Sequence, residues 1–116
     1  MTYQPGLSNA DVVTGQLDAY NAQDLGAFCA YYADDAALAD FNGAVFAQGI
    51  DAIRERHAKL FADFPQNKAV RINRVEVGQV VIDHEDVFRS PDATPFRVAA
   101  IYTLAGGKIA RVDFVK

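Results

Sequence analysis

The residues best suited to chemistry lie in the segment 31–41, with the sequence YYADDAALADF. The acidic pair Asp34-Asp35 suits a turn, because aspartate side chains bond to nearby backbone groups and compete with helix. The residues 36–41 that follow predict a short strand in which Leu38 and Asp40 share one face. A carboxylate beside an apolar neighbour is desolvated, which raises its proton affinity toward that of a general base. Alternatively, Asp40 begins a turn and faces water.

Three other polar side chains are candidates for the same site. Gln16 lies on the apolar face of the first predicted helix, and His57 lies on the apolar face of a later one. An amide or an imidazole near the carboxylate can donate a hydrogen bond to a developing oxyanion. His84, on a predicted strand, is a candidate second acid or base. Each histidine also has a structural alternative, His57 as a satisfied core residue and His84 as an exposed strand residue.

Three amphipathic segments predict helices in the first half of the chain. The first begins at Ser8, where the spacing to Asp11 is that of a capping box. The second is predicted over residues 24–33, with Asp24 as its N-cap, and the third over residues 50–64. Their apolar stripes comprise Val13, Leu17 and Tyr20; Leu25, Phe28, Cys29 and Tyr32; and Ile53, His57, Leu60, Phe61 and Phe64.

Strands are predicted for the rest of the chain. Asn42-Gly43 indicates a tight hairpin leading to a strand over residues 44–48. From residue 69 the apolar period becomes two, which predicts strands 69–77, 80–89, 96–104 and 108–115 in a meander. Within the second of these four strands, one face carries Val80, Ile82, His84, Asp86 and Phe88, and the other carries Val81, Asp83, Glu85 and Val87. We expect the first face to line a cavity and the second to form a homodimer interface through Val81 and Val87.

Composition narrows the classes of protein that the chain can belong to. The net charge is −4 and the lysines and arginines are scattered, so no basic surface for nucleic acid is indicated. No apolar run approaches the roughly 20 residues of a membrane span, and no signal segment is evident, so we expect a cytoplasmic protein. Neither metal-ligand spacing nor a phosphate-binding glycine loop occurs, and no cofactor is expected. The length predicts a single domain over residues 1–116.

Four segments together resemble a known family in their order and spacing. They are VVTGQLDAYNAQDL (12–25), YYADDAALAD (31–40), GIDAIRERH (49–57) and GGKIARVDF (106–114). Nearly the whole chain thus resembles the NTF2-like superfamily, in particular its SnoaL-like and ketosteroid-isomerase branch. The resemblance implies an α+β cone in which about three N-terminal helices pack on a curved, mostly antiparallel sheet. We expect its apolar cavity to be lined by Tyr20, Phe28, Tyr32, Leu38, Phe61, Ile82 and Phe88, with His84 beside them.

The resemblance also implies roles for the candidate site residues. Asp40 falls where ketosteroid isomerases keep the carboxylate that moves a proton between carbons. Gln16 occupies the position of their oxyanion-hole tyrosine, and Tyr32 and His57 correspond to the tyrosines that support it. Their second oxyanion donor, a protonated aspartic acid, has no counterpart, because residues 98–101 are apolar. This departure argues against isomerisation of a true steroid.

Two classes of function follow from these features. The first is an isomerase-type enzyme that transfers a proton on a small, apolar carbonyl compound, with Asp40 as the base and Gln16 and His57 as its partners. The second is a binding module with the same cavity and no turnover. A hydrolase or cyclase of the same fold is a further alternative, although the Arg and Asp pairing that the epoxide-hydrolase branch carries is not evident here.

Overall fold

Three helices and a six-stranded sheet make up the computed structural model of the protein, which describes residues 2–116. The helices are α1 (Asn9–Ala22), α2 (Leu25–Cys29) and α3 (Ile50–Asp63). The strands are β1 (Tyr32–Asp40), β2 (Val45–Gln48), β3 (Lys68–Val77), β4 (Val80–Phe88), β5 (Phe96–Ala105) and β6 (Lys108–Val115). The predicted α+β class is confirmed. Within the described residues, no helix is long and apolar enough to cross a membrane.

Side-chain caps begin the first two helices, as the sequence predicts. Ser8 Oγ accepts a hydrogen bond from the amide of Asp11 at 3.1 Å, and Asp24 Oδ1 accepts one from the amide of Ala27 at 3.1 Å. The second helix is shorter than predicted, because it ends at Cys29 and the chain enters β1 at Tyr32. Pairing with β6 draws this segment into the sheet, so Asp34-Asp35 lies within a strand rather than in a turn.

The sheet has the strand order β2-β1-β6-β5-β4-β3. Only β1 and β6 pair in parallel, and every other neighbouring pair among the described strands is antiparallel. The helices cover one face of this sheet, which we call the inner face, and buried residues of α1 and α2 form one core with those of β4, β5 and β6. The first and last strands are therefore neighbours in the interior of the sheet.

A β-bulge in β3 aligns the one ion pair that the sheet buries within residues 2–116. The pairing of β3 with β4 shifts between Arg71 and Asn73, which sets Arg74 opposite Asp83 on the inner face. Arg74 Nε and Nη2 donate to the two carboxylate oxygens of Asp83 at 2.6 and 2.9 Å. The same guanidinium donates to the carbonyl of Ala10 and, at 2.7 Å, to Thr14 Oγ1. The ion pair thus fastens α1 to the sheet.

The inner face of β4 is the opposite of the predicted one. Val81, Asp83, Glu85 and Val87 are buried beneath the helices, whereas their neighbours in sequence are half-buried on the outer face. The prediction that Ile82, His84 and Phe88 line a cavity is therefore wrong, and so is the prediction of a dimer interface through Val81 and Val87. Both acids of the inner face can be buried, because Asp83 forms the ion pair and Glu85 lies in the cavity described below.

The outer face of the sheet carries an exposed apolar surface. Val75, Ile82 and Ile101 are directly paired across β3, β4 and β5, and Val75 is 50% exposed. Further exposed apolar side chains on β3 are Val70, Ile72 and Val77. Apolar surface of this extent is characteristic of contact between proteins. We define the outer-face row as Val75, Ile82 and Ile101.

A charge within the outer-face row should abolish self-association. We expect the protein to form a homodimer through this face, and Val75→Lys to be monomeric because a lysine amine would lose its hydration in the interface. Sedimentation velocity at micromolar concentration measures the change. Phe41→Lys, in the β1–β2 loop and exposed by a similar 49%, should remain dimeric. A monomeric wild-type protein contradicts the prediction.

Removal of Arg74 should be far more costly than removal of an exposed arginine. We expect Arg74→Met to lower the free energy of unfolding by about 3–5 kcal/mol, because it leaves the charge of Asp83 buried and unpaired. Arg54→Met is the matched control, since Arg54 pairs with Asp51 at 3.5 Å on the exposed side of α3. That change should cost less than about 1 kcal/mol. Urea denaturation of both variants measures the difference, and equal losses would count against it.

Candidate functional site

A cavity of about 120 Å³ lies between the helices and the inner face of the sheet. Its interior is lined by buried residues that include Gln16, Phe28, Tyr32, Leu38, His57, Glu85, Val98 and Tyr102. Its mouth is lined by more exposed residues, namely Phe46, Arg56, Leu60, Arg89, Phe96, Phe114 and Lys116. A single water needs only about 10–15 Å³, so the cavity has room for a small organic molecule.

Most of the predicted lining is present in this cavity. Gln16, Tyr20, Phe28, Tyr32, Leu38 and His57 all contribute to it. Phe61 is buried but lies behind the wall, where its ring packs edge-on against Tyr20 at 5.7 Å and Phe28 at 6.3 Å between centroids. Helical periodicity places Gln16, Tyr20, Phe28 and His57, because α1, α2 and α3 present their apolar stripes to the sheet. Tyr32 and Leu38 reach the cavity from β1.

Asp40 does not reach the cavity. It is the last residue of β1, its side chain is exposed, and its carbonyl accepts the amide of Gly43 at 2.9 Å in the turn that follows. The prediction that Asp40 shares the buried face of Leu38 is wrong. The β1–β2 pairing shifts between Leu38 and Ala39, and such an irregularity interrupts the alternation on which the prediction rests. Ala36, Ala37, Leu38 and Ala39 are all buried, so β1 shows no period of two here.

His84 is also remote from the cavity. It lies on the outer face of β4, where its Nδ1 is 3.1 Å from Asn73 Oδ1 on β3. Ile82 and Phe88 share that face. The two histidines of the chain therefore lie on opposite sides of the sheet. In the part of the chain that the structure describes, no group of three or more histidine, cysteine, aspartate or glutamate side chains is placed to bind a metal.

Glu85 is the carboxylate that the fold does place in the cavity. It is 6% exposed, and its Oε2 is buried with no hydrogen-bond partner among the residues of the described chain. The pKa of Glu85 is raised to about 7, mainly by burial and also by the charge of Asp83, while the charge of Arg74 partly opposes the rise. A buried polar atom without a partner is uncommon in proteins and indicates a strained or functional position.

The sequence contains a signal for Glu85, although the predicted site does not include it. Asp83 and Glu85 are two residues apart between Val81 and Val87, so both acids share a face with apolar residues. Arg71 and Arg74 lie on the preceding strand, across the Gly78-Gln79 turn, and the structure pairs only Arg74, with Asp83. The pattern in the sequence thus indicates a strand face that buries carboxylates, without showing which of them is paired.

A chain of two phenols and one amide lies at the inner end of the cavity. Tyr32 Oη donates to Gln16 Oε1 at 3.0 Å, and Gln16 Nε2 donates to Tyr102 Oη at 2.9 Å. Burial raises the pKa of Tyr102 well above its usual value, and the charge of Glu85 adds to this effect. The same two causes raise the pKa of Tyr32. Both phenols therefore stay protonated, and the Tyr102 hydroxyl keeps a proton to donate.

His57 has a different role from the predicted one. Its Nδ1 is 2.8 Å from the carbonyl of Ile53, and because a carbonyl can only accept, Nδ1 carries the hydrogen. Burial lowers the pKa of His57, so its ring is neutral and Nε2 has a lone pair. A neutral ring with this tautomer cannot donate to an oxyanion through Nε2. Its face packs on Phe28, with the ring centroids 4.4 Å apart.

A second polar chain runs to the mouth. Asn67, which is completely buried, donates from Nδ2 to Tyr20 Oη at 2.6 Å and accepts from Arg89 Nη1 at 2.7 Å. Burial raises the pKa of Tyr20, while the hydrogen bond from Asn67 and the charge of Arg89 oppose the rise. Neither Asn67 nor Arg89 is among the predicted site residues, because both lie next to loops, outside the regular apolar patterns.

Comparison with known proteins agrees with this architecture. Residues 13–112 match the SnoaL-like domain family. The chain belongs to the SnoaL-like domain family. A search of curated proteins found no match for this SnoaL-like domain. It is similar to an uncharacterized cystatin fold protein from Novosphingobium aromaticivorans, with 36% sequence identity and a TM-score of 0.89 over 96% of this chain and 100% of that chain.

Two further solved structures share the fold of the SnoaL-like domain. A putative polyketide cyclase from Sinorhizobium meliloti has 24% identity and a TM-score of 0.78, over 94% of this chain and 100% of its own. A protein from Catenulispora acidiphila with a ketosteroid isomerase-like fold, solved with trimethylamine, has 18% identity and a TM-score of 0.75, over 94% and 87% of the two chains. The predicted NTF2-like fold is thereby confirmed.

The stability of the SnoaL-like domain should fall with rising pH because of Glu85. The folded protein retains a proton that the unfolded chain releases between the ordinary value of 4.5 and about 7, so this group stabilises the fold below 4.5 and loses its contribution through pH 7. Since a tenfold change in proton affinity is worth about 1.4 kcal/mol, the loss is on the order of 3 kcal/mol.

Glu85→Gln should remove this dependence. The difference in free energy of unfolding between wild type and Glu85→Gln, measured by urea denaturation across this pH range, should change by that amount in favour of the variant at high pH. The comparison cancels the opposite contribution of His57, whose lowered pKa destabilises the fold in acid. A difference that is constant with pH would show that Glu85 is not desolvated.

Proposed function

We propose that this SnoaL-like domain catalyses proton transfer between carbon atoms of a small carbonyl compound, with Glu85 as the base. One observation carries the proposal: an unpartnered carboxylate with a pKa of about 7 lines a largely apolar cavity. A base whose pKa lies near the working pH is the most effective one, since it is both available and strong. Glu85 thus takes the role that the sequence predicts for Asp40.

The reaction needs only groups that the cavity contains. Glu85 removes a proton from the carbon next to the carbonyl, so the C–H bond breaks and its electron pair forms an enolate. The negative charge develops on the carbonyl oxygen, where the Tyr102 hydroxyl donates a hydrogen bond. Glu85 then returns the same proton to another carbon of the delocalised enolate, and the carbonyl forms again. The isomerisation is redox-neutral, and the enzyme ends as it began.

Tyr102 suits the role of oxyanion donor because of its own partners. Its oxygen accepts the hydrogen bond from Gln16, whose carbonyl oxygen accepts from Tyr32. Successive hydrogen bonds polarise one another, so a phenol that accepts in this chain becomes a better donor. Gln16 and Tyr32 therefore act as positioning residues. Tyr102 replaces the Gln16 and His57 pair that the sequence predicts for the oxyanion.

The dimensions of the cavity limit the substrate. An apolar cavity of about 150 Å³ holds a benzene molecule, and the cavity here measures about 120 Å³. A body of about one ring is therefore enclosed, whereas a four-ring steroid would extend through the mouth of the cavity. This size supports a small cyclic or short-chain ketone as the substrate.

Exchange of carbon-bound hydrogen tests the proton-transfer step without knowledge of the natural substrate. We expect the protein to accelerate exchange of the α-hydrogens of cyclohexanone in deuterium oxide, followed by proton NMR. Glu85→Gln should lower the rate by about a hundredfold or more, and Tyr102→Phe by about tenfold to a thousandfold. The rate should rise with pH around 7, as Glu85 becomes ionised.

Asp40→Asn provides the matched control. It removes a carboxylate from the same sheet at an exposed position, and it should leave the rate unchanged. Loss of exchange in Asp40→Asn with retention in Glu85→Gln would overturn the assignment of the base. If the wild-type protein binds cyclohexanone but does not exchange its hydrogens, the alternative of a binding module without turnover is the correct one.

A further inference from the structure

Three cationic side chains line the mouth of the cavity, although the chain as a whole is acidic. They are Arg56, Arg89 and Lys116, in a protein with a net charge of −4. The ion pairs formed within residues 2–116 involve other cations, and no carboxylate of this part of the chain lies within 4.0 Å of these three. The positive potential at the mouth is therefore available to an anion that enters.

Arg89 is held in place more firmly than a surface arginine. Its Nη1 donates to Asn67 Oδ1 at 2.7 Å, and its guanidinium lies over the rings of Phe96 and Phe64 at 4.8 and 5.5 Å. Because a guanidinium has five N–H donors, the bond to Asn67 leaves others for a ligand. A planar fork fixed in this way matches the two oxygens of a carboxylate.

Tyr20 supplies a second donor next to Arg89. Its oxygen accepts from Asn67 at 2.6 Å, so its own hydrogen remains for another acceptor. Tyr20 and Arg89 both line the cavity, and Asn67 joins them through one buried amide. The fold therefore orients one cationic and one neutral donor through the same residue, as expected of a site built to bind an anionic group.

Arg56 and Lys116 occupy the other side of the mouth. The guanidinium of Arg56 lies 4.4 Å from the centroid of the Phe46 ring, and the amine of Lys116 lies 5.8 Å from it. Both side chains are more exposed than Arg89, so they contribute charge at the entrance rather than a fixed bond. The ring of Phe46 offers an apolar surface to the body of the ligand.

We propose that the ligand of this cavity is a small carboxylic acid whose carboxylate binds to Arg89 and Tyr20 at the mouth and whose apolar body extends toward Glu85. Arg89 follows Glu85 by four residues, which separates their backbones by about 13 Å along the strand direction. The ligand thus lies between a cation and a carboxyl group at opposite ends. The inference deepens the proposed function by naming the substrate class, a keto acid, but the binding part of it holds without turnover.

Matched acids and amides test the carboxylate site. Isothermal titration calorimetry with phenylacetate and phenylacetamide, and with cyclohexylacetate and its amide, compares ligands that differ only in charge. We expect each acid to bind at least about tenfold more tightly than its amide, because charge-assisted hydrogen bonds are the stronger ones. The preference should weaken with added salt. Phenyl phosphate is the third probe, and tighter binding of it than of either acid overturns the choice of carboxylate.

Variants locate the preference within the mouth. Arg89→Gln should remove most of the preference for acid over amide, and Tyr20→Phe should reduce it by several-fold. Arg54→Gln is the control, because Arg54 lies on α3 near Arg56 but does not line the cavity. It should leave the preference unchanged. If Arg89→Gln is unfolded by circular dichroism, Tyr20→Phe carries the test, since it removes a donor of the site without removing a charge.

The outcomes separate this proposal from the proton-transfer proposal. Equal affinity for acid and amide, or no detectable binding of any acid in the set, overturns the carboxylate site whatever the exchange rates are. A reduced preference in Tyr20→Phe, with cyclohexanone exchange slowed in Glu85→Gln and Tyr102→Phe but not in Asp40→Asn, supports both proposals. If Arg54→Gln lowers the preference as much as Arg89→Gln does, the effect is one of net charge and the site is wrong. Acid binding in a protein that exchanges no α-hydrogens supports the site and refutes the catalysis.

Discussion

The ion pair between Arg74 and Asp83 determines much of the remaining structure. Two charged residues from neighbouring strands are buried only because their hydrogen bonds match in number and direction, with Nε and Nη2 of Arg74 bonded to the two oxygens of Asp83. Arg74 Nη1 reaches the carbonyl of Ala10 and the hydroxyl of Thr14 on α1. This contact fixes the height of the helix above the sheet, and the space that remains between them is the cavity.

The same pair leaves Glu85 without a counter-ion. Arg74 is committed to Asp83; Arg71, opposite Glu85 on β3, is exposed and its guanidinium reaches toward Thr14 instead; and the residue opposite Glu85 on β5 is the apolar Val98. The acid is therefore kept in a low-polarity environment with two phenols whose pKa values its charge raises. The cations at the mouth do not neutralise it, since Arg74 is the only one that lowers its pKa appreciably among the described residues. The cavity thus has a carboxyl group in its interior and cationic side chains at its mouth.

Local patterns in the sequence predict the fold well and the reactive group poorly. The helices and strands can be predicted from the caps at Ser8 and Asp24, the helical stripes and the glycine turns. The predicted stripes also include Gln16, Tyr32 and His57, which line the cavity. Asp40 and the face of β4 are wrong because each depends on strand register, which long-range pairing decides. Val81 and Ile82 are equally apolar, so composition alone cannot choose between their faces. A second apolar face on the outside of the sheet makes that choice harder still.

The bulge in β3 changes which residues of the strand face the helices. Before it, Ala69 and Arg71 point inward, and after it, Arg74 does. If β3 paired regularly with β4, with Ile72 taken into the ladder opposite His84, residues 73–77 would turn over, so that Arg74 faced solvent and Val75 faced the helices. Asp83 would then lose its ion-pair partner, Arg74, and the outer-face row would lose Val75. One backbone irregularity therefore couples the charge balance of the interior to the apolar surface of the exterior, because the same shift in register sets the faces of both Arg74 and Val75.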